Sequence, residues 1–256
     1  MTTKTAKKIA PKPAGKPAFA HPVTLAIDIG GTGLKALALD KEGNQLCDRV
    51  RIPTPALATP SLVLAVLDKL RKQAPPCDRV SVGFPGVIKN GKTLTAANLH
   101  PDWVGFPLMA TLEKRWKLPV QVANDAAVQG YGAIQGKSVE LVLTLGTGLG
   151  SALFTDGHLC PGLELGHHPW RKGKTYEDYL GIGGLKKHGK KRWNRLLAQA
   201  IEQTVHTFNW DHLYLGGGNA KFIDSRLPEN VSIISNEDGL FGGVALWNFR
   251  DRDHSE

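Results

Sequence analysis

Two glycine-rich turns of one kind, each set between two apolar strands, constrain this chain more than any other feature. They are LAIDIGGTGLKALALD (Leu25 to Asp40) and LVLTLGTGLGSALFTDG (Leu141 to Gly157). A glycine turn that hands one strand to another is a hairpin tip. The dinucleotide fingerprint instead hands a strand to a helix, so neither turn reads as a Rossmann crossover. Glycine lets the backbone curl until successive N–H groups converge on an anion, and Thr32, Thr147 and Ser151 add hydroxyl donors. One such turn is ordinarily only structural. Two matched turns point to phosphate chemistry between two similar lobes.

The first turn also carries an acid. Asp28 stands inside the apolar run Val23 to Ile29, where a carboxylate is costly to bury unless it meets a cation or donors. Mg²⁺ shared with phosphate oxygens, directly or through water, meets that need, and so does a cap on its own turn.

Strand and helix patterns alternate along the chain. After the first hairpin, closed by DKEG, Ser61 is expected to cap the helix SLVLAVLDKLRKQ, with Leu62, Ala65, Val66 and Lys69 at helical spacing and a stop at Pro75 and Pro76. The strand RVSVGFPG, the helix PLMATLEKRWK, the strand PVQVAND and the helix AAVQGYGAIQG follow. The second glycine hairpin opens a second unit. It continues through the loop-rich LELGHHPWRKGKTYEDYLGIGG, the helix KRWNRLLAQAIEQTVHTFN, the strand HLYLGGG and a closing helix over 239–250. This is an α/β pattern. It divides into a basic tail over 1–22, an N-terminal lobe over 23–123 on which the closing helix packs back, and a C-terminal lobe over 124–238.

With 256 residues, 41% hydrophobic and 21% charged, the chain can bury a sizeable core. No apolar run approaches the ~20 residues of a membrane helix, and the lysine-rich N-terminus lacks the apolar core of a secretion signal, so a cytoplasmic protein is expected. Cys47, Cys77 and Cys160 are scattered and odd in number, which predicts reduced thiols. The net charge of +9 implies an acidic partner. Part of the excess lies in the tail, where Lys4, Lys7, Lys8, Lys12 and Lys16 alternate with Ala and Pro and predict disorder. A second cluster lies in LKKHGKKRWNR, where Lys186, Lys187, Lys190, Lys191, Arg192 and Arg195 make either a solvated helical face or a groove for a polyanion. Base-specific recognition needs base-edge readers, and no such motif is visible.

In combination, DIGGTGLK, GFPGVI with TAANLHPDW, VANDAA, LGTGLGSALF, ELGH and LGGGNA resemble the sugar kinases of the ROK family (repressors, open reading frames and kinases), from about Leu25 to Trp247. GFPGVIKNG, TAAN, ELGHHP and TYEDYLG are similar to the branch of bacterial polyphosphate glucokinases. The resemblance implies a two-lobed fold of the actin, Hsp70 and hexokinase type (ribonuclease H-like) with a central cleft. It also implies transfer of a terminal phosphoryl group from polyphosphate or ATP to the 6-hydroxyl of glucose, with Mg²⁺, in a homodimer. Many ROK proteins carry a CxCGxxGCxE zinc motif after the ELGH-type segment. HHPWRKGKTYED holds no cysteine, so no zinc site is expected and His167 is left for the sugar. The tail is also too short for the winged-helix domain of ROK repressors, and intact Asp28, Asp125 and glycine turns speak against a degenerate kinase that binds nucleic acid.

Sugar phosphorylation needs a carboxylate to take the hydroxyl proton. Asp125 follows an apolar strand and opens a helix, whose N-terminus favours its ionised form, although an Asp there also serves as an ordinary cap. The resemblance implies that it is the base. It likewise implies that Asn98, Asn124, Glu164, His167 and Glu177 grip the sugar, although Asp178 is adjacent to Glu177 and competes for its place. Gly30, Gly31, Thr32 and Gly33 are expected at the transferred phosphoryl group. Lys35 stands nearby unless strand alternation turns it to solvent, and Thr147 and Gly148 meet the donor's other phosphates. Gly217 and Gly218 of LGGGNA would lie against adenosine in an ATP enzyme or shape the groove in a polyphosphate enzyme.

Overall fold

The apolar runs around the first glycine turn pair antiparallel as β1 (Thr24–Ile29) and β2 (Leu34–Leu39), with Ile29 opposite Leu34 at the tip. Alternation sends Leu25, Ile27 and Ile29 to one face and Ala26 and Asp28 to the other. The first face is sealed by two helices, α1 (Pro60–Gln73) and α2 (Leu108–Trp116). Two further strands, β3 (Val50–Ile52) and β4 (Arg79–Phe84), flank the hairpin, and a minor hairpin of β5 (Ile88–Lys89) and β6 (Lys92–Thr93) follows. With β7 (Val120–Asn124) the first sheet reads β3-β2-β1-β4-β7. This is a computed structural model, and it describes residues 20–96, 99–160, 162–235 and 238–250.

A short helix, α3 (Asp125–Tyr131), leads into the second lobe. There the second glycine hairpin is β8 (Val139–Leu145) and β9 (Leu149–Thr155), extended by β10 (His158–Leu159). A small hairpin of β11 (Pro169–Arg171) and β12 (Lys174–Thr175) precedes three helices, α4 (Tyr176–Leu180), α5 (Ile182–His188) and α6 (Lys190–Phe208). Then come β13 (His212–Gly216), β14 (Val231–Ile233) and the closing helix α7 (Asp238–Arg250). The second sheet reads β10-β9-β8-β13-β14. Each sheet thus has two antiparallel joints followed by two parallel ones, in the same order. Thr144 holds in the second hairpin the place of Asp28 in the first, two residues before the turn and on the inner face.

The inner faces meet through two helices. Ala126, Ala127 and Val128 of α3 pack on Val142, Ala152 and Phe154, while Leu240 and Val244 of α7 pack on Ala26, Leu37 and Leu39. The two helices also pack on each other. Their contact is tight because Gly242 lies directly on the α3 backbone, and a Cβ there would overlap the Val128 carbonyl oxygen. The Ser81 hydroxyl donates to the Gly243 carbonyl and accepts from Trp247 Nε1 at 2.8 Å, fixing α7 on β4.

Several boundaries differ from expectation for identifiable reasons. Thr59, not Ser61, caps α1, accepting from the Leu62 N–H at 3.4 Å with Pro60 in the first turn. The buried stripe is Val63, Val66, Leu67 and Leu70, the i, i+3, i+4, i+7 set from that earlier start, and Leu62 is exposed. α3 stops at Tyr131 instead of running on through Gly136, where φ is +75°. The loop-rich stretch is more regular than expected, since it builds β11, β12, α4 and α5. The predicted disordered tail lies outside the described residues up to position 19, and its last residues are tied down. The Ala20 carbonyl accepts from the Lys41 N–H, and His21 pairs with Asp78 at 2.7 Å.

Replacing Gly242 by Val forces α7 away from α3. The expected cost is about 1–3 kcal/mol, as for other overpacked cores, and a fall in melting temperature of several degrees. A variant that melts with the wild type would show that this crossing tolerates expansion.

Candidate active site

The two glycine turns face each other across a cleft of about 770 Å³ lined by residues of both lobes. In the first turn the Gly30 N–H donates to the Gly33 carbonyl at 3.2 Å, and the Thr54 hydroxyl donates to the Gly30 carbonyl at 2.6 Å. The second turn closes in the same way, Gly146 N–H to the Gly148 carbonyl at 3.0 Å, and α5 begins on it with the Ile182 N–H donating to the Gly146 carbonyl at 2.9 Å. A third turn, at Gly217 and Gly218, presses on the Leu145 backbone. Gly217 has a φ of +86° and no space for a Cβ, so glycine is required there. Asn219 locks this turn to the second by donating Nδ2–H to the Gly146 carbonyl at 2.7 Å.

Three ammonium groups line the cleft beside these turns: Lys35 on β2, Lys186 on α5 and Lys221 just after Asn219. Lys35 turns inward because it is directly opposite Asp28 in the β1–β2 register, and Nζ meets Asp28 Oδ2 at 2.8 Å. Carboxylates gather in the remainder of the cleft. Asp125 opens α3, but the cap is Asn124, whose Oδ1 accepts from Ala126 N–H at 2.9 Å and Ala127 N–H at 3.3 Å. Capping is therefore not what Asp125 is for; its Oδ1 takes one bond, from Ala126 N–H at 2.8 Å.

The ionisation of Asp125 corrects the sequence expectation. Its pKa is pushed up to about 7, first by burial and then by the charges of Asp28 and Glu164, which outweigh the lowering bond from the helix N-terminus. Glu164 is raised as well, by burial and the Glu177 charge against the opposing pull of His167. His167 stands between them, with Nδ1 3.5 Å from Glu164 Oε2 and Nε2 3.9 Å from Glu177 Oε2. The choice between Glu177 and Asp178 is resolved by α4. Asp178 forms a capping box with Thr175, and Glu177 is left to face the cleft, where Oε2 accepts the Leu149 N–H at 3.1 Å.

The ROK family model matches residues 24–176. This chain belongs to the ROK family. The polyphosphate glucokinase of Mycobacterium tuberculosis (strain ATCC 25618 / H37Rv) is 28% identical over 248 residues, 89% of this chain and 92% of that protein. An N-acetylmannosamine kinase of Escherichia coli (strain SE11) is 38% identical over 158 residues, 56% of this chain and 52% of that protein. Among solved structures, the inorganic polyphosphate/ATP-glucomannokinase of Arthrobacter sp. strain KM superposes with a TM-score of 0.82 at 32% identity, covering 90% of this chain and 100% of that one. A ROK family glucokinase from Streptomyces griseus, in complex with glucose and AMPPNP, gives 0.70 at 22% identity over 88% and 98% of the two chains. The chain is a ROK sugar kinase with the two-lobed actin-like fold.

Most of the residues singled out in this kinase's sequence converge on one cleft. Asp28, Gly30, Gly31, Thr32, Lys35, Asn124, Asp125, Thr147, Gly148, Glu164, His167, Glu177, Lys186, Gly217 and Gly218 all line it. Asn98 lies outside the described residues. Gly33 is buried beneath Arg51, whose Nε would sit 2.7 Å from a Cβ there. Of the expected polyanion cluster only Lys186 lines the cleft. Lys187, Lys190, Lys191 and Arg192 are exposed around the break at Gly189, and Lys190 pairs with Asp224 at 3.3 Å. Reading one helix start there concealed a corner between two helices. Thr95, Gln129, Thr144, Asn219 and Lys221 also line the cleft and were missed. Ser151, expected as a donor to an anion, lines it too, but its hydroxyl donates to the Leu163 carbonyl at 2.7 Å. Thr144 was legible from its match to Asp28 in the paired hairpins.

The residues fit Mg²⁺. This ion takes hard oxygen ligands, one or two carboxylates together with substrate phosphates and water, and Asp28 and Asp125 are two such carboxylates close enough to repel. Among the described residues no three His, Cys, Asp or Glu side chains gather to enclose a metal.

Because Asp125 titrates higher in the fold than in the unfolded chain, the folded state binds more protons between about pH 4 and 7, and the stability this group contributes falls as pH rises through that window. Asp28→Asn removes a repelling charge and is expected to lower the Asp125 midpoint, as read by ¹³C carboxyl NMR titration of the ligand-free protein. An unchanged midpoint would rule out the Asp28 charge as a cause.

Proposed function

We propose that this ROK kinase transfers the terminal phosphoryl group of inorganic polyphosphate, and also of ATP, to the 6-hydroxyl of glucose, with Asp125 as general base. The observation that carries this reading is the position of Asp125. A carboxyl with a pKa of about 7 stands where the acid and histidine end of the cleft meets the lysine-flanked glycine turns. The M. tuberculosis and Arthrobacter relatives, named for polyphosphate use and similar over nearly the whole chain, support the donor.

Glucose hydroxyls both donate and accept, and Asn98, Asn124, Glu164, His167 and Glu177 supply both functions. Asp125 accepts the 6-hydroxyl proton as that oxygen attacks phosphorus in line, and a carboxyl poised near neutrality suits this exchange. The Gly31 N–H, the Thr32 hydroxyl and Lys35 meet charge on the transferring phosphoryl group, which the Gly30 backbone lets approach. Thr147, Gly148, Gly217, Gly218, Lys186 and Lys221 hold the phosphates that stay with the donor. Mg²⁺, held at Asp28, would neutralise donor phosphate charge when bound. Outside the cleft, the exposed cations Lys187, Lys190, Lys191 and Arg192 attract the rest of a long polyanion. Ile182 and Phe222 give the same end of the cleft apolar walls, which favours a nucleotide base as an alternative occupant. Family resemblance supports a homodimer, and among the described residues no helix is long and apolar enough to cross a membrane.

Two kinetic outcomes are expected. Asp125→Asn lowers kcat on the order of 10²-fold or more while glucose binding, measured by calorimetry, stays near wild type. Near-normal kcat would remove Asp125 from the mechanism. Replacing Lys186 and Lys221 together with Gln raises KM for long polyphosphate severalfold, flattens its salt dependence and leaves KM for glucose unchanged. A polyphosphate KM equal to that of wild type at every salt concentration would place the polymer elsewhere.

A further inference from the structure

The stretch between His167 and Glu177 is closed by a pile of rings that phosphoryl transfer does not use. Trp170 of β11 stacks on Tyr176 of α4, with centroids 4.8 Å apart and planes 7° from parallel. It meets Tyr179 edge-on at 5.4 Å and 89°, and Tyr179 stacks in turn on His188 at the end of α5, 5.6 Å away. The Arg171 guanidinium lies over Trp170 and Tyr179. The pile is moored to α6, since Trp170 Nε1 donates to Gln203 Oε1 at 2.5 Å and Arg171 Nη1 to Gln199 Oε1 at 2.7 Å. Stacked and edge-to-face pairs are the favoured aromatic geometries, and Tyr176 and Tyr179 are both buried.

The helix that needs this support is α4. At five residues it is far too short to persist unaided, so side chains must hold it in place. It carries Glu177, immediately after Tyr176. One oxygen of Glu177 faces both ends of the cleft, accepting the Leu149 N–H of the second glycine turn at 3.1 Å and lying 3.9 Å from His167 Nε2. The same carboxylate fills the space a Cβ on Gly148 would need. A shift of α4 therefore disturbs the sugar end and the donor turn together.

We propose that Trp170, acting through Tyr176 and Tyr179, is a positioning residue that fixes Glu177 between the sugar pocket and the second phosphate turn. This rests on the sugar kinase reading of the cleft. The test is a double-mutant cycle of Trp170→Ala and Glu177→Gln, run where circular dichroism shows each protein folded. Trp170→Ala is expected to raise KM for glucose and for the phosphoryl donor together, about fivefold each, and Trp170→Phe to stay within twofold of wild type. In the Glu177→Gln background Trp170→Ala adds nothing further, because residues acting as one unit are not additive. Should Trp170→Ala fail to fold, Gln203→Ala, which frees the indole N–H from an exposed position, takes its place in the cycle with a smaller but still non-additive rise. Unchanged KM values with only a lower melting temperature, or additive effects, would overturn the proposal. A wild-type protein that phosphorylates no sugar would refute the functional reading instead.

Discussion

Two carboxylates held near one another at the seam between two lobes set the terms for the rest of this molecule. Asp28 reaches the seam because β1 alternates, with Leu25, Ile27 and Ile29 turned to the outer core and Ala26 and Asp28 turned inward. Asp125 arrives from the same sheet two strands away, at the junction of β7 and α3. Gly83 between them leaves its Cα in ordinary contact range, 3.5 Å from a Cβ placed on the glycine. Gly242 and Gly243 let α7 lie flat on α3 and β1, covering the inner face up to Asp28 without filling the cleft beyond it.

Bringing like charges together costs free energy unless one is neutralised, and the fold answers in two ways. Lys35 sits opposite Asp28 and pairs with it, while Asp125 rises in pKa to about 7. From that pair the cleft divides. Glu164, His167 and Glu177 continue the hydrogen-bonding end suited to a polyol, and the three glycine turns with Lys35, Lys186 and Lys221 form the end suited to phosphate. Glu177 touches both, through His167 and the Leu149 N–H.

The sequence disclosed this arrangement where the signal is local. Strand alternation and glycine spacing gave both hairpins, the inward acid of the first and the strand-to-helix step at Asp125. Signals that depend on packing were silent or misleading. A helix N-terminus beside Asp125 argued for easy ionisation, but burial and two neighbouring carboxylates, invisible in one dimension, dominate. Lysines that look like one cluster in LKKHGKKRWNR diverge because Gly189 breaks the helix, so only Lys186 lines the cleft. Lys221 was missed since a lone lysine after a glycine turn carries no periodicity. Glu177 could not be separated from Asp178 until the capping box of α4 claimed the latter.

The most direct test is to follow wild-type protein with glucose, Mg²⁺ and polyphosphate of defined length by ³¹P NMR, with ATP in a parallel sample. The expected result is a sugar 6-phosphate signal growing as the polymer shortens from its ends, with turnover rising as pH passes through about 7 and Asp125 ionises. Product from ATP with an unchanged polymer would contradict the proposed donor. No phosphorylated sugar with either donor would contradict the account of the cleft itself.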